Sequence, residues 1–189
     1  MFYAITVLGA SAAVNGAPAN EVRAADIPIK VTLDAGEQSG RASATVSIHA
    51  KREVIWGLIT QCSEALRLVP GLVECNVLET AADHSWQQIR HVLDYSWYVP
   101  RLTYEIRATY TEPEQVIVER VAGDLAHMRA SWILKSQGEY TVAQYRMELV
   151  PGFWVPHWIV RAALKRDLPK MLRAVQMRAE LMQNELIGR

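Results

Sequence analysis

"VPGFWVPHWIVRAALKRDLPKML" spans Val150–Leu172 and joins the last of a run of strand-like segments to a long helical one. Downstream of its aromatic start, Leu164, Leu168, Met171, Leu172, Val175, Ala179, Met182 and Leu186 recur at intervals of three and four. That spacing predicts one amphipathic helix over roughly 156–186. Arg161, Lys165, Lys170, Arg173 and Arg178 fall largely off the apolar stripe. Pro169 has no N–H and crowds the preceding turn, and Asp167 is suited to capping a helix start. A bend or restart is therefore expected near 166–169. Pro151 and Pro156 stiffen the strand-to-helix connection, where Phe153, Trp154 and Trp158 collect.

A helix with one apolar face needs a surface to cover, and the upstream chain supplies it. Strand-like alternation is read over 28–33, 41–50, 72–80, 85–95, 102–110, 115–122, 126–135 and 139–150. The later separators are short ("AAD", "TEPE", "AGD", "SQG"), which favours antiparallel hairpins. Between the second and third strands the period changes. Val54, Ile55, Leu58 and Ile59 predict a short helix from about Arg52, and "SEALRLVP" a second turn or helix ending at Pro70-Gly71. Strand segregated from helix in this way indicates an α+β domain.

The 189 residues suit one domain with a real core, read as 26–189. Half are hydrophobic and 21% charged, and Lys plus Arg equals Asp plus Glu at 20 each. A nucleic-acid partner would call for a basic surplus that is absent. Residues 1–25 differ: an apolar run over Phe2–Val14 precedes small residues, with Ala17-Pro18-Ala19 or Val22-Arg23-Ala24 as cleavage sites. This reads as an export signal lacking its basic start, so a periplasmic or secreted location is expected, with the cytoplasm as the alternative. Cys62 and Cys75 are the only cysteines. They are expected to pack as small apolar side chains, although an exported chain can pair them. No zinc spacing, HExxH, catalytic-triad ordering or phosphate loop is present, so neither metal nor cofactor is expected.

Four stretches in succession, "ATVSIHAKREVIWGLIT", "LRLVPGLVECNVLE", "GDLAHMRASWIL" and the opening segment extended to Glu180, resemble the SRPBCC or START-like superfamily. Within it the chain is most similar to the polyketide cyclase/dehydrase and lipid-transport group, which includes coenzyme Q-binding START-domain proteins. The match covers roughly 42–180 and departs at Ala130, where the group often has Gly, and in the aromatic "DYSWYVP". The resemblance implies a helix-grip fold, with a curved antiparallel sheet around the C-terminal helix and an apolar cavity between them. Members bind lipids, quinones or polyketides, and some catalyse cyclisation or dehydration, so fold alone leaves function open.

Strand parity then selects candidate wall residues. His91 shares its face with Ile89, Leu93 and Tyr95. Tyr104 goes with Leu102 and Ile106, Trp132 with Met128 and Ala130, and Tyr145 with Met147 and Leu149. Arg90, Arg107 and Arg120 are expected on the solvated convex face. The candidate ligand-binding set is His91, Tyr104, Met128, Trp132, Tyr145, Trp154, Trp158, Leu168 and Leu172. Ordinary core packing uses the same residue types and is the competing reading. The expected function is a monomeric carrier of a hydrophobic small molecule, with Trp154 and Trp158 at the entrance and in transient contact with membranes. The alternatives are a cyclase or dehydratase using His91 and a Tyr as acid and base, and a protein-interaction module.

Overall fold

Connections too short for crossover helices force neighbouring strands to reverse, and the structure follows that rule. A computed structural model describes residues 29–33, 40–95 and 100–188, with side chains from residue 40 onward. The segment read as an export signal lies outside them. In chain order the elements are β1 (Ile29–Leu33), β2 (Gly40–Ile48), α1 (Arg52–Thr60), α2 (Cys62–Leu68), β3 (Leu72–Thr80), β4 (Trp86–Leu93), β5 (Leu102–Thr111), β6 (Gln115–Gly123), β7 (Leu125–Gln137), β8 (Tyr140–Pro151) and α3 (His157–Ile187). The strands form one antiparallel sheet in the order β1-β2-β8-β7-β6-β5-β4-β3. Only β2 departs from sequence order, pairing with β8, and α1 and α2 carry the chain from there to the far edge at β3. This is the expected α+β helix-grip fold, a curved sheet holding the C-terminal helix.

On β2, Ala42, Ala44, Val46 and Ile48 are buried while the residues between them face out or lie at the margin. The small side chains at its start let α3 come close. A Cβ on Gly40 would stand 2.6 Å from Leu164 Cδ1 and 3.1 Å from Val160 Cγ1, so only glycine fits without displacement. Along α3 the buried stripe is Val160, Leu164, Leu168, Leu172, Val175 and Ala179. Met171 and Met182 pack against the core from its edge. Leu186, expected on the stripe, is 60% exposed, because the helix has by then run past the sheet.

Three further expectations are corrected. The restart near Pro169 does not occur, since α3 runs unbroken through it. Asp167 is no cap, and instead accepts two hydrogen bonds from the Arg166 guanidinium at 2.7 and 2.8 Å. The carbonyl that Pro169 deprives of a donor belongs to Lys165, whose exposed position leaves it to solvent. Cys62 and Cys75 are bonded to each other, with Cα atoms 5.3 Å apart, because the reversal at Pro70-Gly71 lays α2 back against β3. Of the three arginines, Arg90 pairs with Glu105 at 2.9 Å and Arg107 stacks over Trp86 at 4.4 Å, both exposed. Arg120 does not join them on the convex face. It stands opposite Ile106, in parity with Val116 and Val118, and its guanidinium donates to the carbonyls of Leu125 and Gly123 at the β6–β7 turn.

Candidate functional site

The backbone of α3 comes close to β1, β2, α1 and α2, which grip it from the flanks. Glu64 of α2 contributes to that grip through Arg178 of α3, at 3.5 Å. Over β4–β8 the N-terminal half of α3 faces the sheet across a gap, and the gap is a cavity of about 510 Å³. Its floor comes from alternate residues of the strands: Ile89, His91 and Leu93 from β4, Tyr104 and Ile106 from β5, Met128, Ala130 and Trp132 from β7, Tyr145 and Met147 from β8. Its roof is Ile159, Ala163, Leu164, Leu168 and Met171 of α3. At the mouth, Phe153, Val155 and Trp158 face Val69, Pro70 and Tyr95. The Tyr95 ring rests on Gly71, whose φ of 77° and 2.7 Å clearance exclude a side chain there.

Few polar groups reach this space. His91 Nδ1 and Tyr104 Oη are 3.3 Å apart, their rings edge to face. Tyr145 lies tilted against Trp132 with ring centroids 4.6 Å apart. Arg166, held by Asp167, stands over Tyr95 at 5.7 Å and supplies charge at the rim. Burial disfavours every charged form inside. It lowers the pKa of His91 to about 4 and raises those of Tyr104 and Tyr145, with Tyr95 and Tyr145 adding to the rise at Tyr104. At neutral pH the inner cavity therefore offers an uncharged imidazole and uncharged phenols. Among the described residues, no group of three or more His, Cys, Asp or Glu could hold a metal ion.

Seven of the nine residues picked from the sequence come together as cavity wall: His91, Tyr104, Met128, Trp132, Tyr145, Trp158 and Leu168. Leu172 does not, being fully buried in solid core one turn beyond Leu168. Trp154 does not either, since it projects outward with 77% of its surface exposed, leaving Phe153 and Val155 to line the mouth. The set missed Tyr95, Tyr110, the Cys62–Cys75 pair, Arg166 and Asp167. Parity along β4 and β5 would have added Tyr95 and Tyr110, whereas a charged pair on a helix resembles any solvated face.

His91 gives the site a pH signature. Its folded pKa of about 4 lies below the ordinary 6.5, so between those values the unfolded chain takes up a proton that the folded chain refuses. The resulting stability is full above pH 6.5, is lost as pH falls toward 4, and amounts to about 3 kcal/mol. In urea titrations from pH 7 to pH 4, His91→Phe should lose about that much less stability than the parent. Parallel pH profiles for the two proteins would show that His91 is not buried as described.

No curated protein matches the chain by sequence. Among solved structures it is similar to a START superfamily protein from Mycobacterium smegmatis, at 19% identity and a TM-score of 0.65 over 75% of this chain and 98% of that one. It is also similar to a STAR-related lipid transfer protein fragment from Xanthomonas axonopodis, at 15% and 0.69 over 80% of this chain and 92% of that one. A third is the Zhui aromatase/cyclase from Streptomyces sp. R1128, at 13% and 0.64 over 78% of this chain and 98% of that one. At these identities the likeness establishes the fold alone. The sequence model of the polyketide cyclase / dehydrase and lipid transport family matches residues 48–176, and with most of the chain so covered, the protein belongs to that family.

Proposed function

We propose that the protein is a carrier that binds one hydrophobic small molecule, a lipid, an isoprenoid quinone or a polyketide-like compound, between its sheet and α3. The observation that carries this reading is the cavity of about 510 Å³, largely apolar in its wall and open at one rim. That volume lies within the range of small-molecule sites, and such sites combine apolar walls with a few convergent polar groups. Burying apolar ligand surface contributes about 25 cal/mol per Å² before the costs of association. The His91–Tyr104 pair and the Tyr145 hydroxyl would orient an oxygen of the ligand.

The rim supports exchange with a lipid surface by a monomer. Trp158 is 63% exposed and shares a helix face with the exposed Arg161 and Lys165, beside the outward Trp154. Aromatic rings flanked by basic side chains favour contact with the headgroup region of an anionic bilayer. No helix of the described residues is long and apolar enough to cross a membrane. We place the protein in an oxidising compartment after export, a reading that the Cys62–Cys75 disulfide supports.

A cyclase or dehydratase is the second reading, favoured by the 3.3 Å approach of His91 to Tyr104. The pKa of His91 weighs against it. A base that holds a proton only below about pH 4 is weak at neutrality, and efficient acid–base groups titrate near the working pH.

The two readings separate on the compound recovered from the protein in its own host. For a carrier, His91→Ala and Tyr145→Phe should each weaken binding by about 1 kcal/mol. Trp154→Ala and Trp158→Ala should leave affinity nearly unchanged and slow transfer to anionic vesicles. Turnover of that compound, lost about 100-fold or more in His91→Ala, would replace the carrier with an enzyme. For the location, the host protein should begin between residues 18 and 26 by mass spectrometry. An intact Met1 on cytosolic protein would remove export.

A further inference from the structure

Tyr110 has two neighbourhoods. Its ring lines the large cavity, and its Oη donates to Gln87 Oε1 at 2.9 Å. Gln87 belongs to a second recess, of about 260 Å³, between the end of α1 and the tips of the β3–β4 and β5–β6 hairpins. Thr60, Gln61 and Tyr110 line both spaces, so they share a wall. The chemistry changes across it. Beyond Tyr110 the recess is lined by Trp56 and by the polar residues Gln61, His84, Gln87 and Glu112. His84 is held at φ 58° beside an Asp83 carboxylate bonded to the backbone and hydroxyl of Ser85, which fixes the recess edge.

The charges are one-sided. Among the described residues Glu112 makes no ion pair, and no Lys or Arg lines the recess. Acceptors outnumber cations, and a carboxylate or phosphate entering this space would meet repulsion.

We propose that the recess is a head-group subsite: it receives the polar end of an amphiphile whose hydrocarbon lies in the cavity, and that end is a hydrogen-bond donor, an ammonium first and a hydroxyl second. Rotation of the Tyr110 ring, at the cost of its bond to Gln87 and its edge contact with Trp56, would join the two spaces. The inference rests on the carrier reading and adds the chemistry of the ligand's polar end.

Dodecylammonium, 1-dodecanol and dodecanoate share one chain and differ only in the head, so their competition against the neutral dye N-phenyl-1-naphthylamine at pH 7 reads the subsite. Dodecylammonium should bind at least tenfold more tightly than dodecanoate, with the alcohol between them. Glu112→Gln, at an exposed position, should bring the ammonium to the level of the alcohol and leave the alcohol unchanged. Equal affinities for the three heads, or a preference for the ammonium that survives Glu112→Gln, would overturn the subsite while leaving the cavity intact. A preference removed by Asp167→Asn and not by Glu112→Gln would place the head at the mouth and likewise overturn it. Failure of all three compounds to displace the dye would overturn both this inference and the carrier reading beneath it.

Discussion

The close approach of α3 to β2 at Gly40 anchors the helix on one flank of the sheet. Leu164 and Val160 close on that glycine, and β1, β2, α1 and α2 hold the helix around it. Over β7, β6, β5 and β4 the curved sheet and the N-terminal half of α3 are separated by the cavity. The residues of the two surfaces are those of an ordinary core, but they no longer meet. Where they do meet, Leu172, Val175 and Ala179 are almost wholly buried. Where they part, Leu168 and Met171 become a roof.

A cavity of this kind forgoes packing energy, since its wall lacks the dispersion contacts that a filled core would have. The chain limits the loss by keeping the interior uncharged. His91 and the phenols of Tyr104 and Tyr145 hold their neutral forms because burial penalises the charged ones. The ion pair of Arg166 and Asp167 stays at the rim, where solvent screens it. The disulfide fixes α2, one jaw of the mouth, to the edge strand β3. Rigid jaw, neutral interior and aromatic rim are the features on which the proposed carrier reading rests.

Most strands and helices were legible in the sequence because local rules set them. Short polar separators fixed the hairpins, and the change from alternation to threes and fours marked α1 and α3. Parity likewise identified the inward faces that carry His91, Tyr104, Trp132 and Tyr145. What it missed depends on distance across the fold. Leu168 and Leu172 are one turn apart on the same stripe, yet one is wall and the other core, because only the standoff of α3 distinguishes them. Trp154 sits in a connection with no period, so its identity gave no direction. The pairing of Cys62 with Cys75 needed the return of α2 onto β3, whereas Arg120 follows the alternation of Val116 and Val118 and its inward direction was open to parity.

In the proposed reading the space under α3 is a ligand site and not a packing defect. Native mass spectrometry of the protein purified without detergent from its own host tests this most directly. The chain should carry one apolar small molecule, released into organic solvent, and the bare chain should rebind it at one to one. A chain that arrives bare, and stays bare when mixed with a lipid extract of the same cells, would contradict it.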